Sequence, residues 1–243
     1  MAQEQTAAVK PQAGSGEDSS GYVFQNRRYV GTKETVAYVV YDMSQSFNIN
    51  AYTQRFVTNI LQVSLKLQRI ANVINGIWDV INDVLFGAIV DKTRTRWGKF
   101  KPYLVALGIP GTIGTCIYWL MPLIFAGRGP NDIWKFIGYL LLMVVREGAG
   151  TFRDIAQKGI QSTIPPHPVD RTRIITIANF ASGFLGEKLP EQIMTVLLDL
   201  IGRNKIKLTL QGTFVGMGIF TAVVAGAGAM WFFFICKERV MQS

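Results

Sequence analysis

Two carboxylates, Asp79 and Asp83, stand four residues apart in the run Trp78-Asp79-Val80-Ile81-Asn82-Asp83. On a helix that spacing puts both on one face. With the neutral carbonyl of Asn82 beside them they form a hard, oxygen-rich site, which suits Na+ or H+. Two nearby carboxylates also raise one another's proton affinity, so a proton can take the place of Na+. The alternative is that Asp79 and Asp83 pair with basic residues on a neighbouring helix. A second charged group, Arg146, Glu147, Arg153, Asp154 and Lys158, runs along residues 133–163. Asp154 and Lys158 have the spacing of an ion pair, and Arg146 and Arg153 share a face. A third group is Glu187, Lys188 and Glu191, with both glutamates on one face. Between the first two groups lies a very basic turn, Asp91-Lys92-Thr93-Arg94-Thr95-Arg96-Trp97-Gly98-Lys99-Phe100-Lys101-Pro102, whose proline opens the next helix. The single histidine, His167, excludes a site built from several His ligands. Cys116 and Cys236 both lie in apolar runs, with no disulfide or metal spacing. No nucleophile–base pair or metal cluster is visible, so an enzyme is not expected.

The elements that must hold these charges are apolar. Of 243 residues, 49% are hydrophobic and 17% charged, against about 25% charged in ordinary soluble domains. Mean hydropathy is +0.23. The net charge of +9 does not mark a nucleic-acid partner, because the basic residues alternate with long apolar runs instead of forming one basic face. Stretches 102–127 and 208–236 are the clearest spans: Pro102 to Gly127 and Leu208 to Cys236 carry no charge, and each exceeds the roughly 20 residues that cross a bilayer. Four further spans, 34–58, 68–90, 133–163 and 173–201, are apolar with internal charges. Such charges face a bundle interior or a water-filled cavity. The expected fold is an all-α membrane protein with six transmembrane helices over 34–236. Residues 1–33 are expected to be a disordered cytoplasmic tail, and 237–243 the start of a cytoplasmic loop. Basic residues are richer around 10–33, 91–101, 170–173 and 237–239 than in the opposite loops, which places both termini in the cytoplasm and the chain in the cytoplasmic membrane. Gly218, Ala222 and Gly226 recur every four residues, a small face for close helix approach.

The W-D-x-I-N-D run followed by R-x-R-W-G-K-x-K-P closely resembles the glycoside–pentoside–hexuronide:cation symporters, the melibiose-permease-like family of the major facilitator superfamily. Weaker resemblance covers about 36–240. It implies the N-terminal half of that superfamily's fold. It also implies that Asp79 and Asp83 bind the coupling cation, with Asn82 and Thr151 joining them. Asp154 matches a family aspartate that contacts sugar hydroxyls, a role a carboxylate suits by accepting two hydroxyl hydrogen bonds. Asp91, Arg94, Arg96, Gly98 and Lys99 match the loop that latches the cytoplasmic helix ends. This chain departs from the family pattern around the substrate. Lys158 stands where a sugar-stacking tryptophan is expected, and Ala156 replaces a proline. An arginine early in the fifth helix is missing, with Ala178 or Asn179 near its place. The helix I carboxylate corresponds to Asp42 or, in the tightest alignment, to Ser46. Arg153 joins the candidate substrate residues. Lys158 either meets an acidic sugar or neutralises Asp154. Tyr38, Tyr41, Tyr52 and Phe152 are candidate cavity aromatics.

The resulting expectation is a cation-coupled (Na+ or H+) symporter of a sugar or glycoside, working by alternating access with no cofactor beyond the coupling ion. Superfamily carriers have two six-helix halves; this chain has room for one. The expected partners are the lipid bilayer, the sugar and a missing C-terminal six-helix half in the same or another chain. The competing expectations are a lipid or lysolipid carrier on the same scaffold, its headgroup phosphates meeting Arg146, Arg153 and Lys158, and a non-transporting membrane sensor or assembly subunit.

Overall fold

Long apolar runs with few turn residues can satisfy every backbone group only by coiling on themselves when water is scarce. The computed structural model describes residues 32–92, 103, 108–163 and 168–235, and all regular structure among them is helical. Helix α1 is Thr32–Ser46, α2 Leu65–Lys92, α3 Gly108–Ile124, α4 Ile133–Thr163, α5 Pro168–Ala181, α6 Leu189–Gly202 and α7 Leu210–Ile235.

Two of the expected spans are not simple helices. The stretch 34–58 breaks after Ser46. There the Asn48 side chain donates to the Ser46 carbonyl (3.0 Å) and accepts from the Asn50 N–H (3.0 Å), so it competes with the helical backbone. The chain then recoils as a 3-10 turn (Asn50–Tyr52), one α turn (Thr53–Arg55) and a π turn (Phe56–Ile60). The stretch 173–201 is two helices, α5 and α6, joined through a π turn at Ser182–Lys188. Pro190 follows at once. It has no N–H to donate and its ring crowds the preceding turn, a common cause of such a widening.

Among the described residues two helices are long and apolar enough to cross a membrane by length and composition, Leu65–Val90 and Leu210–Ile235. The charged stretch 68–90 is one of them; of 102–127 the described part, Gly108–Ile124, is apolar, and residues 104–107 lie outside the described residues. On α2, Val80 is 70% and Val84 72% exposed. An apolar face this open fits a lipid environment better than water.

The helices form a ring. Helix α7 packs between α1 and α3, α4 packs on α3, α5 touches both α4 and α1, and α2 lies along α4. Small residues set the closest approaches. A Cβ on Gly218 would meet the Trp119 ring at 2.2 Å, and one on Gly226 would meet Thr112 at 2.8 Å, so this stripe of α7 faces α3. Gly228 faces the other way, where a Cβ would meet Ser44 of α1 at 1.9 Å. Apolar residues close each end of the ring. One cluster holds Tyr38, Tyr41, Val90, Ala156, Ile174 and Phe232. The other holds Phe56, Tyr118, Trp119, Met121, Tyr139, Met194 and Phe214.

At this second end the loops are tied by Lys135, whose side chain is almost wholly buried. Its Nζ donates to the carbonyls of Leu61 (3.0 Å), Gln62 (3.3 Å) and Arg128 (3.0 Å). One ammonium thus uses all three donors to join the loop before α2 to the loop before α4. Asp132 caps α4 by accepting from the Lys135 N–H at 2.8 Å. That bond, with help from Arg128, holds the Asp132 carboxyl below the usual carboxylate range.

Three outcomes follow for thermal unfolding in detergent. Gly218→Ala lowers stability by about 1–3 kcal/mol, the range for overpacking, while Gly216→Ala, which meets open space, leaves it near wild type; equal effects would refute the α7–α3 contact. Lys135→Met costs roughly 2–3 kcal/mol through orphaned carbonyls, and a neutral result would remove the loop tie. Because the Asp132 pKa is depressed on folding, its contribution is present above the unfolded carboxylate pKa and disappears as pH falls through the folded value. Asp132→Asn therefore flattens the acid limb of the stability profile.

Candidate functional site

Between the two apolar ends lies a polar cavity of about 790 Å3, a size that accommodates small molecules. Helix α2 presents Asp79, Asp83 and Gly87 to it, residues four apart on one face. Helix α4 presents Arg146, Glu147, Gly150, Thr151, Arg153, Asp154 and Lys158. The two helices approach closely at Gly148, where a Cβ would meet Phe86 at 3.2 Å and Trp78 at 3.8 Å. Stacking of Phe86 on Phe152, with ring centroids 3.8 Å apart, fixes their register. Helix α1 and the break after it add Gln45, Asn48, Asn50 and Thr53, and α7 adds Thr221. Gln45 donates to the Ala225 carbonyl at 2.8 Å and so ties α1 to α7 in the cavity wall.

Of the expected cation residues, Asp79, Asp83 and Thr151 line this one cavity. Among the described residues neither aspartate forms an ion pair with a basic side chain. Asn82 differs. It is wholly buried, lies outside the cavity lining, and has no hydrogen-bond partner at either Oδ1 or Nδ2. Glu147, singled out in the sequence only as part of a charged group, lies against Asp79 and Asn75. Its signal was its place one residue after Arg146 within an apolar helix, but only the α2–α4 packing shows which carboxylate it meets. Among the described residues no group of three or more His, Cys, Asp or Glu is arranged to hold a metal ion.

Of the expected substrate residues, Arg153, Asp154 and Lys158 line the cavity. Asp154 pairs with Arg153 at 3.4 Å rather than with Lys158. Both partners are exposed to the cavity, where water screens them and nothing holds the four-residue geometry. Arg153 also reaches Gln45 at 3.5 Å. Asp42 and Ser46 are not among the lining residues. Asp42 is buried and accepts hydrogen bonds from Gln157 of α4 and from Ser182 in the π turn, which makes it a tie between three rods. Ser46 packs where a Cβ on Gly186 would meet it at 2.9 Å.

The candidate aromatics are packing residues. Tyr38 and Tyr41 contact Phe232 in an apolar cluster, Phe152 is stacked between Phe86 and Tyr103, and the Tyr52 hydroxyl meets Thr195 at 2.6 Å. Tyr118 and Tyr139, which the sequence did not single out, line the cavity instead. Their signal was weak, because nothing in an uncharged span tells an inward tyrosine from an outward one. Lys188 pairs with Glu191 at 3.2 Å away from the cavity lining. Asp91 falls in the last turn of α2, while Arg94, Arg96, Gly98 and Lys99 lie outside the described residues.

Residues 35–243 match the family described as MFS/sugar transport protein. The chain is 26% identical over 211 residues to the inner membrane symporter YicJ of Escherichia coli K12, covering 86% of this chain and 42% of that protein. It is 24% identical to the isoprimeverose transporter of Lactiplantibacillus pentosus, over 79% of this chain and 38% of that one. It is 28% identical to a lactose permease of Leuconostoc lactis, over 66% and 25% respectively. The chain spans less than half the length of each of these relatives, all of which are named as transporters rather than enzymes. The match over nearly all of the described helices agrees with the resemblance carried by the W-D-x-I-N-D and R-x-R-W-G-K-x-K-P runs, and the chain belongs to the MFS/sugar transport protein family.

Proposed function

We propose that this chain is the N-terminal six-helix half of a cation-coupled symporter for a sugar or glycoside, embedded in the cytoplasmic membrane and completed by a second six-helix half. The observation that supports this reading is that one cavity is lined by Asp79 and Asp83 of α2 and by Thr151, Arg153, Asp154 and Lys158 of α4. Cation and substrate would then occupy the same polar space, close enough for one to change the affinity of the other.

In this reading Na+ or H+ neutralises the carboxylates Asp79 and Asp83. The buried, unpartnered amide of Asn82 adjoins them on the same helix, and its carbonyl oxygen is a further donor to a cation there. Neutralisation favours the conformation that binds the sugar at Asp154, and sugar binding tightens the cation by the same factor. The loaded carrier then reorients by rocking of the two halves. The end closed by Tyr38, Val90 and Ile174 faces the cytoplasm, and Asp91 with Arg94, Arg96, Gly98 and Lys99 latches it.

The test is uptake in membrane vesicles holding the complete carrier. Asp83→Cys abolishes cation-dependent uptake while the protein remains in the membrane; undiminished uptake would reject the cation assignment. Asp154→Asn weakens sugar binding by about tenfold or more, the loss expected for a charge-assisted hydrogen bond, and an unchanged sugar affinity would reject the substrate assignment.

A further inference from the structure

We infer that Glu147 relays the state of the cation site to the far wall of the cavity: with Asp79 neutralised it lies against α2, and with Asp79 bare it closes on Arg146 and draws that guanidinium out of the wall. The inference rests on the symporter reading of the cavity and assigns the residue that couples its two ligands.

Helix α4 carries the same dyad twice, Arg146-Glu147 and Arg153-Asp154, an arginine followed by an acid, seven residues apart. Seven residues make about two helical turns, so the dyads stand on one side of α4. Both line the cavity. They are held differently. Arg153 and Asp154 close on one another at 3.4 Å, so neighbouring side chains of this length can pair on this helix. Glu147 is turned from its own arginine to α2, against Asp79 and Asn75, although its charge still acts on Arg146. Arg146 is turned elsewhere. Its guanidinium carbon lies 4.3 Å from the centroid of the Tyr118 ring, it interacts with the Tyr118 hydroxyl, and its Nη2 reaches the Asn50 Oδ1 at 3.4 Å.

Two carboxylates in contact repel unless a cation or a proton neutralises one of them. The open dyad is therefore the arrangement that a cation at Asp79 favours. With that cation gone, Asp79 repels Glu147 and Arg146 attracts it. The closed geometry of Arg153 and Asp154 is then the nearest alternative. Closure takes Arg146 from Tyr118 of α3 and from Asn50 in the broken stretch after α1, both of which line the cavity. The charge on one α2 carboxylate thus reaches the wall built by α1 and α3 through two adjacent residues of α4. The repulsion supplies what a ligand needs in order to shift a conformational equilibrium, a different interaction energy with each state.

The experiment measures binding to the complete carrier in vesicles, with Na+ present or replaced by choline. A panel of neutral 4-nitrophenyl glycosides is screened, and the tightest is used throughout. Na+ is expected to tighten its binding to wild type by about tenfold, within the usual range of coupling between two sites. Glu147→Gln removes the charge that Asp79 repels and Arg146 attracts. It is expected to bind the glycoside without Na+ as tightly as wild type does with Na+, and to lose the response to Na+. Asp79→Asn removes the other charge and is expected to do the same, so that the test survives if one variant fails to fold. Weak binding with no Na+ response in the folded variants, the result for cation ligands alone, overturns the inference. So does a Na+ response of wild-type size in Glu147→Gln. A wild type that binds a glycoside but ignores Na+ overturns it too, and leaves a proton-coupled reading of the cavity standing. A wild type that binds none of the glycosides rejects the symporter reading as well.

Discussion

Seven ionisable side chains, Asp79, Asp83, Arg146, Glu147, Arg153, Asp154 and Lys158, line a single space inside a bundle whose outer surface is largely apolar. Charges in such a place are tolerable only if water or a partner reaches them. The architecture meets that condition by geometry. Apolar clusters close the ring at its two ends, around Phe232 and around Trp119, and the polar residues are confined to the level between. Were the helices to pack with the same density at mid-height as at the ends, most of these charges would be stranded without solvent.

The close contacts at the walls make the open middle possible. Helix α7 reaches α3 through Gly218 and Gly226 and α1 through Gly228, so its own charge-free surface seals one side of the cavity. Gly148 lets α4 approach α2, and the Phe86–Phe152 stack sets their relative height. With the helices at that height Glu147 meets Asp79, and Asp83 and Thr151 line the same cavity. Irregular backbone appears beside the cavity as well. The break at Phe47–Ile49 turns Asn48 and Asn50 inward, and the π turn at Ser182–Lys188 brings Ser182 onto Asp42. Such departures are affordable in an apolar medium only where side chains or cavity water satisfy the freed backbone groups.

Charge balance within the cavity has a direction. The α2 wall contributes the carboxylates Asp79 and Asp83, while α4 carries both signs, with Arg146, Arg153 and Lys158 beside Glu147 and Asp154.

The helical class, the apolar spans and the pairing of Asp79 with Asp83 on one face were all legible in the sequence, because helix period and hydropathy are local properties. The family was legible from one continuous run for the same reason. Tertiary packing decided which polar residues share the cavity. Asp42 reads as a substrate carboxylate but is bound by Gln157 and Ser182 from two other rods. Lys135, which the sequence did not single out, is a buried clamp on three loop carbonyls. Glu147 and Tyr118 gain their places only when α4 meets α2 and α3. Spacing along one helix fixes which residues share a face, whereas what that face meets depends on contacts between residues far apart in the chain, set here by where glycines let helices touch.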